Sequence, residues 1–143
     1  MLGMMGEYTH SLDQKNRVAM PAKLREALGD NFVLCAAPNG DNCLFAYSPQ
    51  GWEKIMEHLT NQTPSKLLTM QQRRVYMYAD TVETDKQGRI TIPARFVQKV
   101  HLEREVLIRG VGTRVELWSP AEWDKMQQRI EEMDELSQVN FPF

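Results

Sequence analysis

The chain is poor in the residues that mark secreted, metal-binding and membrane proteins. Only two of its 143 residues are cysteines, Cys35 and Cys43. They form no Cys-x-x-Cys pair, and no histidine stands at metal-ligand spacing from them. Two reduced core thiols on neighbouring strands are therefore expected, in place of a disulfide or metal site. No apolar run is long enough to cross a bilayer, and Met1-Leu2-Gly3-Met4-Met5 lacks the basic start and apolar stretch of a secretory signal. A cytoplasmic protein without a membrane partner is expected. Enzyme signatures are missing too. There is no phosphate-cradling glycine loop, no His-Glu-x-x-His and no Ser/His/Asp or Cys/His order, and His10, His58 and His101 are isolated. No catalytic residue, cofactor, metal or small-molecule substrate is expected.

An excess of positive charge is likewise absent. The net charge is −2 and the isoelectric point is near 5.9, which counts against a chain that binds nucleic acid over its whole surface. The acids are concentrated, however. Glu131, Glu132, Asp134 and Glu135 lie together near the end, and residues 1–130 hold 17 basic and 15 acidic side chains. Local clustering therefore decides the reading. With 42% hydrophobic and 25% charged residues the composition is that of an ordinary folded domain.

What is present is an internal repeat. The segment Asp13-Gln-Lys15-Asn16-Arg17-Val18-Ala-Met20-Pro21-Ala22-Lys23 lines up with Asp85-Lys86-Gln87-Gly88-Arg89-Ile90-Thr-Ile92-Pro93-Ala94-Arg95 at an offset of 72. Further on, Ser48-Pro49 and Trp52-Glu53-Lys54 match Ser119-Pro120 and Trp123-Asp124-Lys125 at an offset of 71. Two blocks in the same order indicate duplication. The chain reads as a single compact domain, residues 1–143, made of two tandem repeats (about 6–60 and 78–137) joined by a helical linker over 61–77.

Each half has the same plan. A strand (Tyr8–Leu12, and Val82–Thr84) leads into an Asp-containing turn. Asn16 and Gly88, which tolerate positive φ, close it as a tight hairpin. Pro21 and Pro93 pre-set the first turn of short helices, Ala22–Leu28 and Ala94–His101. Apolar strands follow, Phe32–Ala37 with Leu44–Tyr47 and Val106–Arg109 with Val115–Trp118. Then come helices with Ser at N-cap and Pro at N1, and Ser119 with Glu122 makes a capping box. Trp52, Ile55, Met56 and Leu59 form one apolar stripe, and Trp123, Met126, Ile130 and Met133 another, both read as packing faces. Ser65–Tyr78 reads as a helix, with Arg73 and Arg74 on a solvated or inter-subunit face.

The run Gly6-Glu7-Tyr8-Thr-His10-Ser-Leu12-Asp13-x-Lys15-x-Arg17-Val18-x-x-Pro21, echoed by Asp85-x-x-Gly88-Arg89-Ile90-x-Ile92-Pro93, resembles the MraZ family. The likeness extends from Gly6 to the C-terminal helix. It implies an α+β fold, the duplicated swapped-hairpin β-barrel of AbrB-like and SpoVT-like regulators with peripheral helices. It also implies assembly into a ring of identical chains. The resemblance further implies a nucleoid-associated regulator, typically a repressor, of the division and cell-wall gene cluster that includes its own gene. Such a regulator binds short direct repeats of double-stranded promoter DNA through its Asp-x-x-x-Arg loops. Here that places the contacts on Asp13–Arg17 and Asp85–Arg89. Asn16 stands where the first loop usually has glycine, and Gln87 where the second usually has lysine, so the first loop is expected to contribute more.

Arginine suits such a contact because its planar fork donates two parallel hydrogen bonds to a guanine edge or a phosphate, whereas lysine is a point charge that meets phosphate. The expected DNA-binding residues are Lys15, Arg17, Lys86 and Arg89. Lys23, Arg25, Arg95 and Lys99 on the short helices extend the basic surface. Asp13, Asn16, Asp85 and Gly88 are expected to brace the turns. By spacing alone, brace and DNA contact fit Arg17 and Arg89 equally, and the family resemblance favours DNA. The alternative function is a protein-binding scaffold or antitoxin-like module of the same fold, whose partner would be held by the acidic tail.

Overall fold

The computed structural model describes residues 2–142. Its elements are strands and helices mixed, with antiparallel sheets and, among the described residues, five α-helices. In chain order they are β1 (Glu7–Ser11), β2 (Arg17–Ala19), α1 (Ala22–Leu28), β3 (Asn31–Ala36), β4 (Leu44–Tyr47), α2 (Pro49–Thr60) and α3 (Lys66–Met77). The second half continues with β5 (Ala79–Glu83), β6 (Arg89–Thr91), α4 (Ala94–Lys99), β7 (Glu105–Gly110), β8 (Val115–Trp118) and α5 (Pro120–Glu132). A 3₁₀ turn, Asp134–Gln138, follows. Among the described residues no helix is long and apolar enough to cross a membrane.

Six strands form one sheet in the order β1-β7-β8-β4-β3-β5, and β2 pairs with β6 in a separate two-stranded ribbon. Exchanging the halves (β1 with β5, β3 with β7, β4 with β8) reverses this order and returns the same sheet. A pseudo-two-fold therefore passes between β4 and β8. The halves exchange strands. β1 pairs with β7 of the other half, Glu7 opposite Arg109, and β5 pairs with β3, Val82 opposite Phe32.

Two expectations are corrected here. The β-barrel does not close, because β1 and β5 are hydrogen-bonded on one side only and remain the edges of an open sheet. The ribbon covers that opening by packing instead, with β2 against β1 and β6 against β5. Nor does the Asp turn carry a continuous hairpin. Asp13 N–H donates to the Arg17 carbonyl (2.9 Å) and closes the turn, but β1 and β2 then diverge because each finds its partner in the other half.

Both faces of the sheet are covered, which is why its central strands are mostly apolar, with Glu116 of β8 the charged exception in β4 and β8. On one face Leu34, Leu44, Ala46, Ile108 and Leu117 join Val18 and Ile90 of the ribbon and Leu24 and Phe96 of the short helices. On the other, Cys35, Cys43, Phe45, Tyr47, Leu107 and Trp118 meet Trp52, Ile55, Trp123 and Met126 from α2 and α5. Both cysteines are free and buried.

Local signals mostly act as their chemistry requires. The Ser48, Ser65 and Ser119 hydroxyls accept from Gly51, Leu68 and Glu122 N–H at 3.0–3.1 Å, capping α2, α3 and α5. Three details differ from expectation. Pro21 and Pro93 are the residues before the helices, with ψ of 135° and 137°, so their fixed φ ends the extended segment instead of starting the first turn. The Glu122 carboxylate leaves the capping box to accept from Asn42 Nδ2 (3.0 Å), where it also meets Lys125. Only Trp123 and Met126 of the α5 stripe reach the core, and Ile130 and Met133 are 42% and 46% exposed.

Candidate nucleic-acid interface

The ribbon positions the two turns. Its register sets Arg17 opposite Thr91, Val18 opposite Ile90 and Ala19 opposite Arg89. Side chains alternate across a strand, so Val18 and Ile90 point into the core, each 1% exposed, while Arg17 and Arg89 share the outer face. They are diagonal neighbours, with Cα atoms roughly 7–8 Å apart. The turns are also tied to each other. Met20 N–H donates to the Gly88 carbonyl (2.9 Å) and Ile92 N–H to the Asn16 carbonyl (2.8 Å), so the end of each ribbon strand is fastened to the opposite turn.

Within each turn the aspartate organises the arginine. Asp13 Oδ1 accepts from the backbone N–H groups of Lys15 (2.9 Å) and Arg17 (2.8 Å), and Oδ2 accepts from Arg17 Nε (2.8 Å). Asp85 does the same with Gln87 (2.9 Å), Arg89 (2.9 Å) and Arg89 Nε (3.0 Å). Asn16 and Gly88 supply the left-handed residue, at φ 59° and 78°. The backbone N–H of Arg17 is the main influence holding the Asp13 carboxyl below the usual aspartate range, and the Arg17 side chain and Lys15 N–H add to it. The Arg89 backbone does likewise for Asp85. A carboxylate in this setting stays charged and fixes the guanidinium plane through Nε, leaving the Nη1–Nη2 edge to donate.

The remaining cations fall into two groups. Lys15 and Lys86 are exposed on the turns and Lys23 on α1, and among the described residues none of them forms an ion pair. Arg95 differs. Its Nη1 donates to the Met77 carbonyl (2.6 Å), and its guanidinium lies over the Tyr78 and Phe96 rings, where Lys99 also approaches Tyr78. Arg109 pairs with Glu7 and covers Trp123, while Arg114 pairs with the buried Glu116, which also accepts from Trp118 Nε1 (3.0 Å). Sequence reasoning missed that Arg25 of α1 crosses to the other half and lies against Gly88. The signal was available, because Arg25 and Gly88 both differ from their repeat equivalents, Val97 and Asn16.

The fold and the paired turns define a duplicated, strand-exchanged β-rich protein that displays two braced arginines on one ribbon. The profile of the MraZ protein family, whose description adds an antitoxin-like label, matches twice, over residues 4–74 and 75–140. A protein of Natranaerobius thermophilus named transcriptional regulator MraZ is 44% identical over 132 residues, spanning 89% of this chain and 88% of that one. Proteins of the same name from Alkaliphilus oremlandii and Heliobacterium modesticaldum are 45% and 41% identical, over 85% and 87% of this chain and 84% and 87% of theirs. The chain belongs to the MraZ family, and these relatives are transcriptional regulators by name.

Proposed function

We propose that this protein is a transcriptional regulator that binds double-stranded DNA through the outer face of the β2–β6 ribbon and its two turns. The observation that carries the reading is the pair of Asp-braced arginines, Arg17 and Arg89, side by side on one exposed face. Each has its plane fixed by aspartate and its Nη edge available for a guanine or a phosphate. Lys15, Lys86 and Lys23 add positive charge nearby that no ion pair neutralises among the described residues. Arg95 contributes less than the sequence suggested, because it is engaged with Met77 and two aromatic rings.

In this reading the chain is one unit of two repeats, about 6–60 and 78–137, joined by the linker 61–77, and its strand exchange is that of the AbrB-like swapped hairpin. Family likeness extends the proposal to a nucleoid-associated repressor acting on short direct repeats upstream of the division and cell-wall genes, its own among them. One ribbon offers few contacts, so affinity comes from several copies engaging successive repeats. Exposed apolar side chains on α3, Leu67, Met70, Tyr76 and Met77, support self-assembly into the ring that family likeness implies.

Footprinting on DNA upstream of the gene, at two salt concentrations, tests the proposal. Wild type protects repeated sites, and both Arg17→Ala and Arg89→Ala abolish protection while remaining folded. Variants that protect the DNA as wild type does would sink it.

A further inference from the structure

Beside the second turn lies a cation that its own half of the chain does not supply. A Cβ built on Gly88 would lie 2.5 Å from Arg25 Nη1, 2.9 Å from its Cζ and 3.4 Å from its Nε, so the guanidinium rests directly on the glycine Cα. Arg25 Nε is out of solvent with no hydrogen-bond partner, and among the described residues Arg25 forms no ion pair. A protein that places a charge where Nε goes unmatched needs a reason for it. Gly88 is the enabling residue, since its missing side chain is the space Arg25 fills.

The other half is built differently at both positions. Val97 stands where Arg25 would be, half-buried against the core, and Asn16, which carries a side chain, stands where Gly88 would be. The two differences form a matched pair across the pseudo-two-fold: arginine over glycine on one side, valine and asparagine on the other. The turns differ as well in where their lysine stands, Gln14-Lys15 in the first and Lys86-Gln87 in the second.

We propose that Arg25 is a DNA phosphate-contacting residue of the second turn, donated by the first half, a contact for which Val97 leaves the first turn no equivalent. The proposal rests on the reading of the ribbon as a DNA-binding face. Held against Gly88 with Nη1 nearest, Cζ next and Nε farther off, the guanidinium meets a backbone phosphate with the donor hydrogens turned away from the glycine. The second turn thus carries Lys86, Arg89 and Arg25, one cation more than the Lys15 and Arg17 of the first.

The test is the salt dependence of binding to a fluorescently labelled random-sequence duplex and to DNA from upstream of the gene. Losing one phosphate contact lowers the slope of log K against log salt by about 0.9 for each protomer engaged. Arg25→Gln is expected to flatten the slope by that amount on both DNAs, while Gln87→Ala leaves it unchanged. Arg25→Gln with the wild-type slope overturns the inference, whatever its affinity, because a purely structural arginine changes affinity without changing ion release. If Arg25→Gln does not fold, the double variant R25V/G88N carries the same comparison, since it copies the arrangement of the other half. Wild-type protein that binds neither DNA would overturn the ribbon reading and this inference together. Loss of binding in Arg17→Ala beside an unaltered slope in Arg25→Gln overturns this inference alone.

Discussion

Ile90 is the residue through which the stability of the core and the placement of the arginines can be separated. Its side chain is 1% exposed and packs beneath the ribbon, with Val18 beside it, while Arg89 and Thr91 on either side face outward. Ile90→Ala removes three carbon groups, about 2.4 kcal/mol at roughly 0.8 kcal/mol per buried CH₂. The cavity left behind adds to this and brings the loss to about 3–4 kcal/mol, within the usual range for such truncations. For a chain of 143 residues the unfolding entropy is about 0.3 kcal/mol/K, so the melting temperature falls by roughly 10 °C. Thr91→Ala, one residue on and exposed, moves it by no more than about 2 °C. Calorimetry at one fixed protein concentration measures both, since self-association would otherwise shift the transition. A second readout follows from the position of Ile90. At a temperature where the variant remains folded, a loosened ribbon holds Arg17 and Arg89 less firmly, and DNA affinity falls although no contacting residue has changed. Equal, small shifts for Ile90→Ala and Thr91→Ala would refute the claim that the ribbon is anchored through its inner face.

Other outcomes follow from the same geometry. Arg17→Ala loses about 1–3 kcal/mol of binding per site and its discrimination between sequences, whereas Lys15→Ala weakens specific and random DNA alike; competition binding separates the two. Carboxyl NMR titration places Asp13 and Asp85 below the ordinary aspartate range. The stability each contributes is present above that range and is lost as pH falls through the depressed value. Arg17→Ala returns Asp13 only part of the way, because the backbone N–H of residue 17 stays, and a full return would contradict the assigned cause. Burial pushes the Cys35 thiol up to about 12 and Cys43 higher still, so at pH 8 iodoacetamide labels neither in the native protein, while a denatured sample labels fully. Leu67→Glu, at a position 83% exposed, lowers the assembled mass in light scattering and leaves the melting of the fold unaltered; unchanged mass removes α3 from the assembly surface.

Local chemistry was legible where one residue type has one use. The offsets of 72 and 71 located both turns, the Ser-Pro pairs marked the starts of α2 and α5, and Asn16 and Gly88 marked the left-handed positions. Pairing was not legible, because alternation tells which residues share a face and not which strand lies alongside. Tyr8 reads the same whether its neighbour is Ile108 or a residue of its own half. Exposure at the ends of helices was hidden for a similar reason. Ile130 and Met133 continue the stripe of Trp123 and Met126, and periodicity does not tell where along a helix the packing partner ends. The surroundings of Arg95 and Arg25 were not legible, since each depends on what lies opposite in space: the Met77 carbonyl in one case and a bare glycine Cα in the other.

Strand exchange also dictates an order of events during synthesis. β1 leaves the ribosome well before its partner β7, which lies about a hundred residues later, with Glu7 meeting Arg109. Until then β1 and the free edge of β4 lack their partners, and a second copy emerging from the same message is chemically able to fill them. Loop closure over that distance adds only modestly to the entropic cost, so the complete chain outcompetes its neighbours once β7 is available. A chain stopped after α3 has no such recourse. Its strands are expected to pair with those of another stopped chain, so that each half of the present chain stands where one subunit of such a pair would.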